Sequence, residues 1–178
     1  MNATPNDVNY YLNPNNFILS DAQKFQFLDL SKTSSATAAQ LNSFLKGKGI
    51  LEGKGQAFID AGKKHGINEI YLLSHALLET RHGSSQLANG VQINGNKAYN
   101  MYGIGAYVSD TLTNGSRRAY EEKWYTPEAA IIGGAAFIGN NYVKAGQNTL
   151  YKMRWNPESM DSHGYASHQY ATDIGWSS

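Results

Sequence analysis

Apolar residues run almost without a break through the stretch that begins at Asn68. Ile70, Tyr71, Leu72, Leu73, Ala76, Leu77 and Leu78 fall within nine positions. Asn68 is a good helix N-cap, Glu69 suits the positive end of the dipole, and Gly83 is the usual residue just past a C-terminus. The spacing therefore predicts a helix over 69–82. So little polar surface predicts that it crosses the core instead of lying on it. Glu79 then falls in the last turn, where burial and the negative end of the dipole both raise a carboxyl pKa. A raised carboxyl is a proton donor near neutral pH, the profile of a glycosidase general acid. The plain alternative is a glutamate that points to water or pairs with Arg81.

Around this stretch the pattern predicts further elements. Residues 10–17 hold Pro14 among asparagines and read as an extended arm or turn. Residues 20–30 read as a short helical turn with Phe25, Phe27, Leu28 and Leu30 as core candidates. A short helix over 38–45 stops at Gly47. The next, over 53–65, gathers Ala57, Phe58, Ala61 and Gly62 on one face and stops at Gly66. After Gly83 the period shortens. Val91-Gln92-Ile93, Asn94-Gly95 and Lys97-Ala98-Tyr99 read as a hairpin, because both turn residues tolerate positive φ. A second extended pair is expected around 106–108 and 117–122, joined through Asn114-Gly115. Thr126-Pro127 opens a helix reaching about Tyr142, thinned by Ala129, Ala130, Gly133, Gly134, Ala135 and Ala136 so that a neighbour can approach closely. The aromatic tail, 150–155 and 163–176, has no clear period and is expected to be an irregular wrap. The fold class is α+β, mainly α, with a helical lobe, a small β-hairpin lobe and a cleft between them.

Composition narrows the function. At 178 residues the chain suggests one domain, 1–178, with 1–9 as a flexible N-terminal extension. Cysteine is absent, so thiolate chemistry and disulfides are excluded. A net charge of +1 with 16% charged residues gives no basic field for nucleic acid. No apolar run is long enough to span a membrane, and Met1–Asp7 do not form a signal peptide. Eighteen glycines and twelve tyrosines, with many Asn and Ser, suit a carbohydrate surface, since aromatic faces stack on sugars and amides bond hydroxyls.

Several separated motifs carry a resemblance. They are Ser74-His75-Ala76-Leu77-Leu78-Glu79-Thr80, Gly83-Ser84-Ser85-Gln86-Leu87-Ala88, Tyr99-Asn100-Met101-Tyr102-Gly103-Ile104-Gly105, Asn148-Thr149-Leu150-Tyr151-Lys152-Met153-Arg154-Trp155-Asn156-Pro157, and His168-Gln169-Tyr170-Ala171-Thr172. In this order they resemble the glucosaminidase modules of Gram-positive bacterial autolysins, glycoside hydrolase family 73. The resemblance implies a lysozyme-like domain, an endo-β-N-acetylglucosaminidase that cuts the β-1,4 bond after N-acetylglucosamine in peptidoglycan. It implies Glu79 as catalytic acid, Tyr170 near the scissile bond, and the segment from Asn100 to Gly103 at the cleft border. Gln86, Asn100, Tyr102, Tyr120 and Trp124 are the expected substrate-binding residues. Expected too are no cofactor or metal, a monomer whose partner is the glycan strand, and a secreted, cell wall-associated location.

A second catalytic carboxylate is needed opposite the acid in two-carboxylate glycosidases, at about 5 Å for retention or about 6.5–9.5 Å for inversion. Glu121 and Glu122 are available on the expected strand, pointing to opposite faces, and Glu122 shares the face of Tyr120. Glu122 is preferred, with Asp110 as a third candidate. The substrate's own 2-acetamido oxygen is an alternative nucleophile, oriented by Tyr170, Tyr102 or Asn100. His75, Glu79 and His82 share a helical face, but a di-iron bundle needs a second such set, and His163 and His168 lack zinc spacing. A lytic transglycosylase with the same acid, or a non-catalytic cell-wall binding module, are the rival readings.

Overall fold

Capping residues set most of the helix boundaries. The computed structural model describes residues 3–106 and 110–178. In chain order the elements are α1 (Pro5–Leu12), α2 (Ala38–Leu45), α3 (Gly55–His65), α4 (Glu69–Glu79), α5 (Gln86–Asn89), β1 (Val91–Ile93), β2 (Asn96–Ala98), α6 (Thr111–Glu121), α7 (Pro127–Ile138), α8 (Leu150–Trp155) and α9 (Pro157–His163). A short π-helical turn, Gly139–Val143, follows α7. This is the expected mainly helical α+β class. The chain packs as two units, residues 32–139 and residues 1–31 with 140–178.

In the unit 32–139, α3 packs against α2, α4 and α7. Phe58, Ala61, Ile67, Leu72, Ala76, Ile131 and Ile138 are fully buried and form its core. Asn68 accepts hydrogen bonds from the Ile70 and Tyr71 amides, both at 3.0 Å, and its own amide donates to the Lys32 carbonyl at 2.8 Å. Glu69 does more than suit the dipole. Burial would push its carboxyl up, but the Ser34 hydroxyl and the Ser34 and Ala36 amides donate to it, and the balance lies below the ordinary carboxylate range. That carboxylate therefore ties the 34–36 loop to the start of α4.

α4 is not buried on every side. Tyr71, Leu72, Leu73, His75 and Ala76 are buried, but Ile70 is 45% exposed and Leu78 66%, so a solvent stripe runs along the helix. It also ends at Glu79, three residues before the expected His82, because Thr80 caps it.

The hairpin forms as expected, with Val91 opposite Ala98 and Ile93 opposite Asn96. Asn94 and Gly95 take positive φ, 46° and 81°, as a type I′ turn requires. The second extended pair does not form: residues 111–121 are helix. Asp110 caps it by accepting from the Thr113 amide at 3.0 Å, and the Asn114-Gly115 dipeptide lies inside. Gly115 is there because Leu87 and Ala106 press on it; a Cβ would lie 2.9 Å and 3.2 Å from their side chains. The partner segment, 106–108, falls mostly outside the described residues. Thin α7 does take α3 as a close neighbour, while its glycines admit rings: Trp124 lies against Gly133 and Tyr102 against Gly134.

The other unit departs further from expectation. Residues 5–12 are helix, not an extended arm, closed by a capping box between Thr4 and Asp7. Phe17 and Leu30 are buried, but Phe25 and Leu28 are 60% and 44% exposed, and Gln26 is buried in their place. In the tail, α8 replaces the expected irregular wrap over 150–155 and α9 follows it, separated by left-handed Asn156 at φ 43°, whereas residues 164–176 are irregular as expected. Tyr151 donates to the Leu12 carbonyl at 2.7 Å, and the Arg154 guanidinium donates to the carbonyls of Thr172 and Asp173, which ties the final segment to α8.

Candidate active site

Glu79 closes α4 with about a third of its side chain exposed, at 34%. Burial of the rest pushes its carboxyl above the ordinary glutamate range. Its nearest ionisable partner is His75, one turn earlier, with Nε2 3.9 Å from Oε1. That imidazole is 4% exposed and lies between the rings of Tyr71 and Tyr102, with centroids at 5.5 Å and 5.7 Å. Burial lowers its pKa to about 4, so it is neutral at physiological pH and supplies no cation to hold Glu79 ionised. A carboxyl raised by burial, beside an imidazole that brings no charge to oppose the rise, thus stands at a partly open position.

The chain beyond Glu79 is held hard. Thr80 is buried; its hydroxyl donates to the Ala76 carbonyl at 2.6 Å and accepts from the Gly83 amide at 2.8 Å. Arg81, His82 and Gly83 all take positive φ, 50°, 56° and 78°, which is costly for the first two. Gly83 and Gly49 sit backbone to backbone. A Cβ on Gly83 would lie 2.0 Å from the Lys48 carbonyl oxygen, and one on Gly49 2.4 Å from that of Gly83. The Ile50 amide donates to the Gly83 carbonyl at 3.2 Å. This clasp fixes the turn through which α4 presents Glu79.

The opposite wall is the 100–105 loop. Asn100 is 2% exposed, and its amide group is fully occupied: it donates to the Ile104 and Gly115 carbonyls at 2.9 Å and 3.0 Å and accepts from the Tyr102 and Ile104 amides. Asn100 is thus an organiser of the loop. Gly103, at φ 63°, is the residue that reaches the acid; a Cβ there would stand 3.2 Å from Glu79 Oε2. Tyr102 is 2% exposed, its ring laid on Gly134 and beside His75.

The remaining expected residues are dispersed. Trp124 is 5% exposed and packed on Gly133, with its carbonyl accepting from the Tyr99 amide, so its indole is a core element. Gln86 opens α5 and is exposed. Tyr120 is half-buried beside Tyr125. Glu122 is not on a strand: it caps the C-terminal end of α6 and pairs with Arg118 at 2.6 Å. Asp110 is engaged as the N-cap of the same helix, and the Thr113 amide holds its carboxyl below the ordinary range. Tyr170 belongs to the other unit, with its ring edge-on to Tyr142 at 4.9 Å and tilted over Trp176 at 5.0 Å. Among the described residues no three His, Cys, Asp or Glu side chains gather to hold a metal ion.

Sequence reasoning missed Thr80 and Gly49 as parts of the site; it put Gly103 at the cleft border but not against Glu79. Thr80 had a signal, since a hydroxyl at the end of an apolar helix can bond backward and forward. Gly49 had none.

A family model described as "Glucosaminidase: Mannosyl-glycoprotein endo-beta-N-acetylglucosaminidase" matches residues 55–178. The chain is 53% identical over 179 residues to a beta-N-acetylglucosaminidase of Bacillus subtilis (strain 168), covering 98% of this chain and 20% of that protein. It is 48% identical over 182 residues to a bifunctional autolysin of Staphylococcus aureus, covering 98% and 14% respectively. The chain thus spans a fifth or less of these curated relatives. Among solved structures, S. aureus glucosaminidase B matches with a TM-score of 0.82 at 43% identity, over 99% of this chain and 69% of that one. S. aureus autolysin E in complex with the muropeptide NAM-L-ALA-D-iGLU matches at 0.80 and 40%, over 99% and 74%. A catalytic Glu-to-Ala mutant of autolysin E, in complex with the disaccharide NAG-NAM, matches at 0.79 and 39%, over 99% and 74%.

Proposed function

The chain belongs to the glucosaminidase family, and from that premise we propose that it hydrolyses the β-1,4 bond after N-acetylglucosamine in peptidoglycan, with Glu79 as general acid. The observation that carries this reading is the carboxyl of Glu79, raised by burial at the end of α4 beside a neutral His75. A relative whose catalytic mutant replaces a glutamate and which binds NAG-NAM supports the same chemistry. The relatives named for glucosaminidase activity favour hydrolysis over lytic transglycosylation, and a buried acid has no purpose in a binding module. The similarity to a bifunctional autolysin supports a location outside the cell, at the wall. No helix among the described residues is long and apolar enough to cross a membrane.

In the proposed reaction Glu79 gives its proton to the glycosidic oxygen as the bond from that oxygen to C1 breaks. The 2-acetamido oxygen of the same sugar closes on C1. Water then attacks C1, the acetamido ring reopens, and the water's proton returns to the Glu79 carboxylate. What favours substrate assistance is that Glu122 and Asp110 are both committed to α6, one to Arg118 and one to the Thr113 amide.

Glu79→Gln keeps the shape and removes the proton. We expect cleavage of purified peptidoglycan to fall by at least about a thousandfold with an unchanged melting profile. Undiminished cleavage would overturn the assignment. Mass spectrometry of the wild-type products separates the rival chemistry: reducing N-acetylglucosamine ends support hydrolysis, and 1,6-anhydro ends mean a transglycosylase.

A further inference from the structure

A second concavity lies in the unit 32–139, between β1 and α6, away from the immediate partners of Glu79. It has a volume of about 580 Å³. Val91, Ile93 and Leu112 supply an apolar wall and Tyr120 an aromatic one, while Arg117 and Glu121 stand on the α6 side. These two charges are four residues apart, the spacing at which helix ion pairs form. The next pair along, Arg118 and Glu122, has closed to 2.6 Å, but among the described residues no ion pair joins Arg117 to Glu121. Both remain directed at a shared hollow, with Asp110 the other carboxylate within electrostatic reach of Arg117. An apolar wall flanked by a cation and an anion that, among the described residues, are not paired with each other suits a short peptide that carries both charges and a small apolar side chain. The hydroxyls of a glycan can hydrogen-bond both groups but offer neither a counter-charge.

Resting on the hydrolase reading above, we propose that this groove is the subsite for the peptide stem carried by the glycan strand, with an acidic residue of the stem on Arg117 and a cationic one on Glu121. An alanyl methyl then lies against Val91, Ile93 and Leu112. The stem seen on the related autolysin E ligand, L-Ala followed by D-iGlu, begins with that methyl and carboxylate. The groove is also coupled to the acid. The Gly115 carbonyl of α6 accepts from the Asn100 amide at 3.0 Å, and the loop that Asn100 organises sets Gly103 beside Glu79. A stem held on α6 therefore registers the strand against the site of cleavage.

The test uses the whole chain and two readouts. In the first, the free tripeptide L-Ala-D-iGlu-L-Lys is titrated into the wild-type protein and followed by amide NMR. Shifts are expected at Val91, Ile93 and Tyr120, to be lost in Arg117→Glu and retained in Arg117→Lys. In the second, kcat/KM is compared on glycan strands with their stems and on the same strands stripped by an amidase. Arg117→Glu is expected to lose about tenfold on stem-bearing strands and to stay within about twofold of wild type on stripped ones. Equal losses on both substrates, or tripeptide shifts elsewhere than the groove, overturn the proposal. So do groove shifts elicited by stem-free oligosaccharide, which would make this a sugar subsite. A wild-type protein that cleaves neither strand defeats the hydrolase reading instead, and the tripeptide titration still decides the groove.

Discussion

Protonating His75 should destabilise this fold, and the size of the effect follows from its burial. In the fold the imidazole titrates at about 4, against 6.5 for the free side chain. The unfolded chain therefore binds a proton that the native chain refuses, and stability falls with pH between those two values. Above pH 6.5 the contribution is whole, and below about 4 it is spent. The full gap is worth about 3 kcal/mol, and about 2 kcal/mol of it is lost between pH 7.5 and pH 5. Glu79, the charged neighbour at 3.9 Å, acts with the opposite sign: its raised carboxyl is better protonated in the fold, so its titration favours the native state as pH falls. The comparison that isolates His75 is urea unfolding at pH 7.5 and pH 5 for wild type and His75→Asn. The variant will be less stable at both, since it loses the contacts with Tyr71 and Tyr102. Its loss on acidification should nevertheless be smaller by about 2 kcal/mol. An identical loss in the two proteins, or an NMR titration of His75 near 6.5, would refute the reasoning.

Three further changes probe the frame around Glu79. Gly83→Ala places a methyl 2.0 Å from the Lys48 carbonyl at a positive φ, so we expect a loss of about 3 kcal/mol or more in denaturant melts; a wild-type midpoint would show that the clasp yields. Asn100→Ala leaves two buried carbonyls and two amides without their partner and should cost about 3 kcal/mol, with kcat falling while KM holds as Gly103 drifts from the acid. Unchanged kcat would mean the loop does not position the acid. Glu122→Gln should reduce kcat/KM by less than about threefold, with the β anomer retained in the product by NMR; a fall of about a thousandfold would restore Glu122 as the second catalytic carboxylate.

Local physics made much of the fold legible. Helix ends that depend on one cap and one glycine, such as Asn68 for α4 and Gly66 for α3, were readable because both partners lie within a turn of each other. The same holds for the hairpin, whose Asn94-Gly95 turn is a two-residue requirement. The other Asn-Gly, at 114–115, was misread as a turn because its glycine answers to a distant surface, the side chains of Leu87 and Ala106, and not to its own backbone. Removing that strand removed the face alternation on which the preference for Glu122 rested.

Glu79 shows where the boundary lies. Its place at the end of α4 and its proximity to His75 follow from the four-residue spacing on one helix. What makes it an acid held in one position comes from segments some thirty residues to one side and some twenty to the other: Gly49, which lets the 48–50 loop touch the turn after Thr80, and Gly103, which lets the Asn100 loop approach the carboxyl. Each is a glycine because a neighbour's backbone or carboxylate occupies the space a Cβ would need. A glycine's reason for being there is thus written in the residue it meets, and no reading of its own neighbours along the chain could have found it.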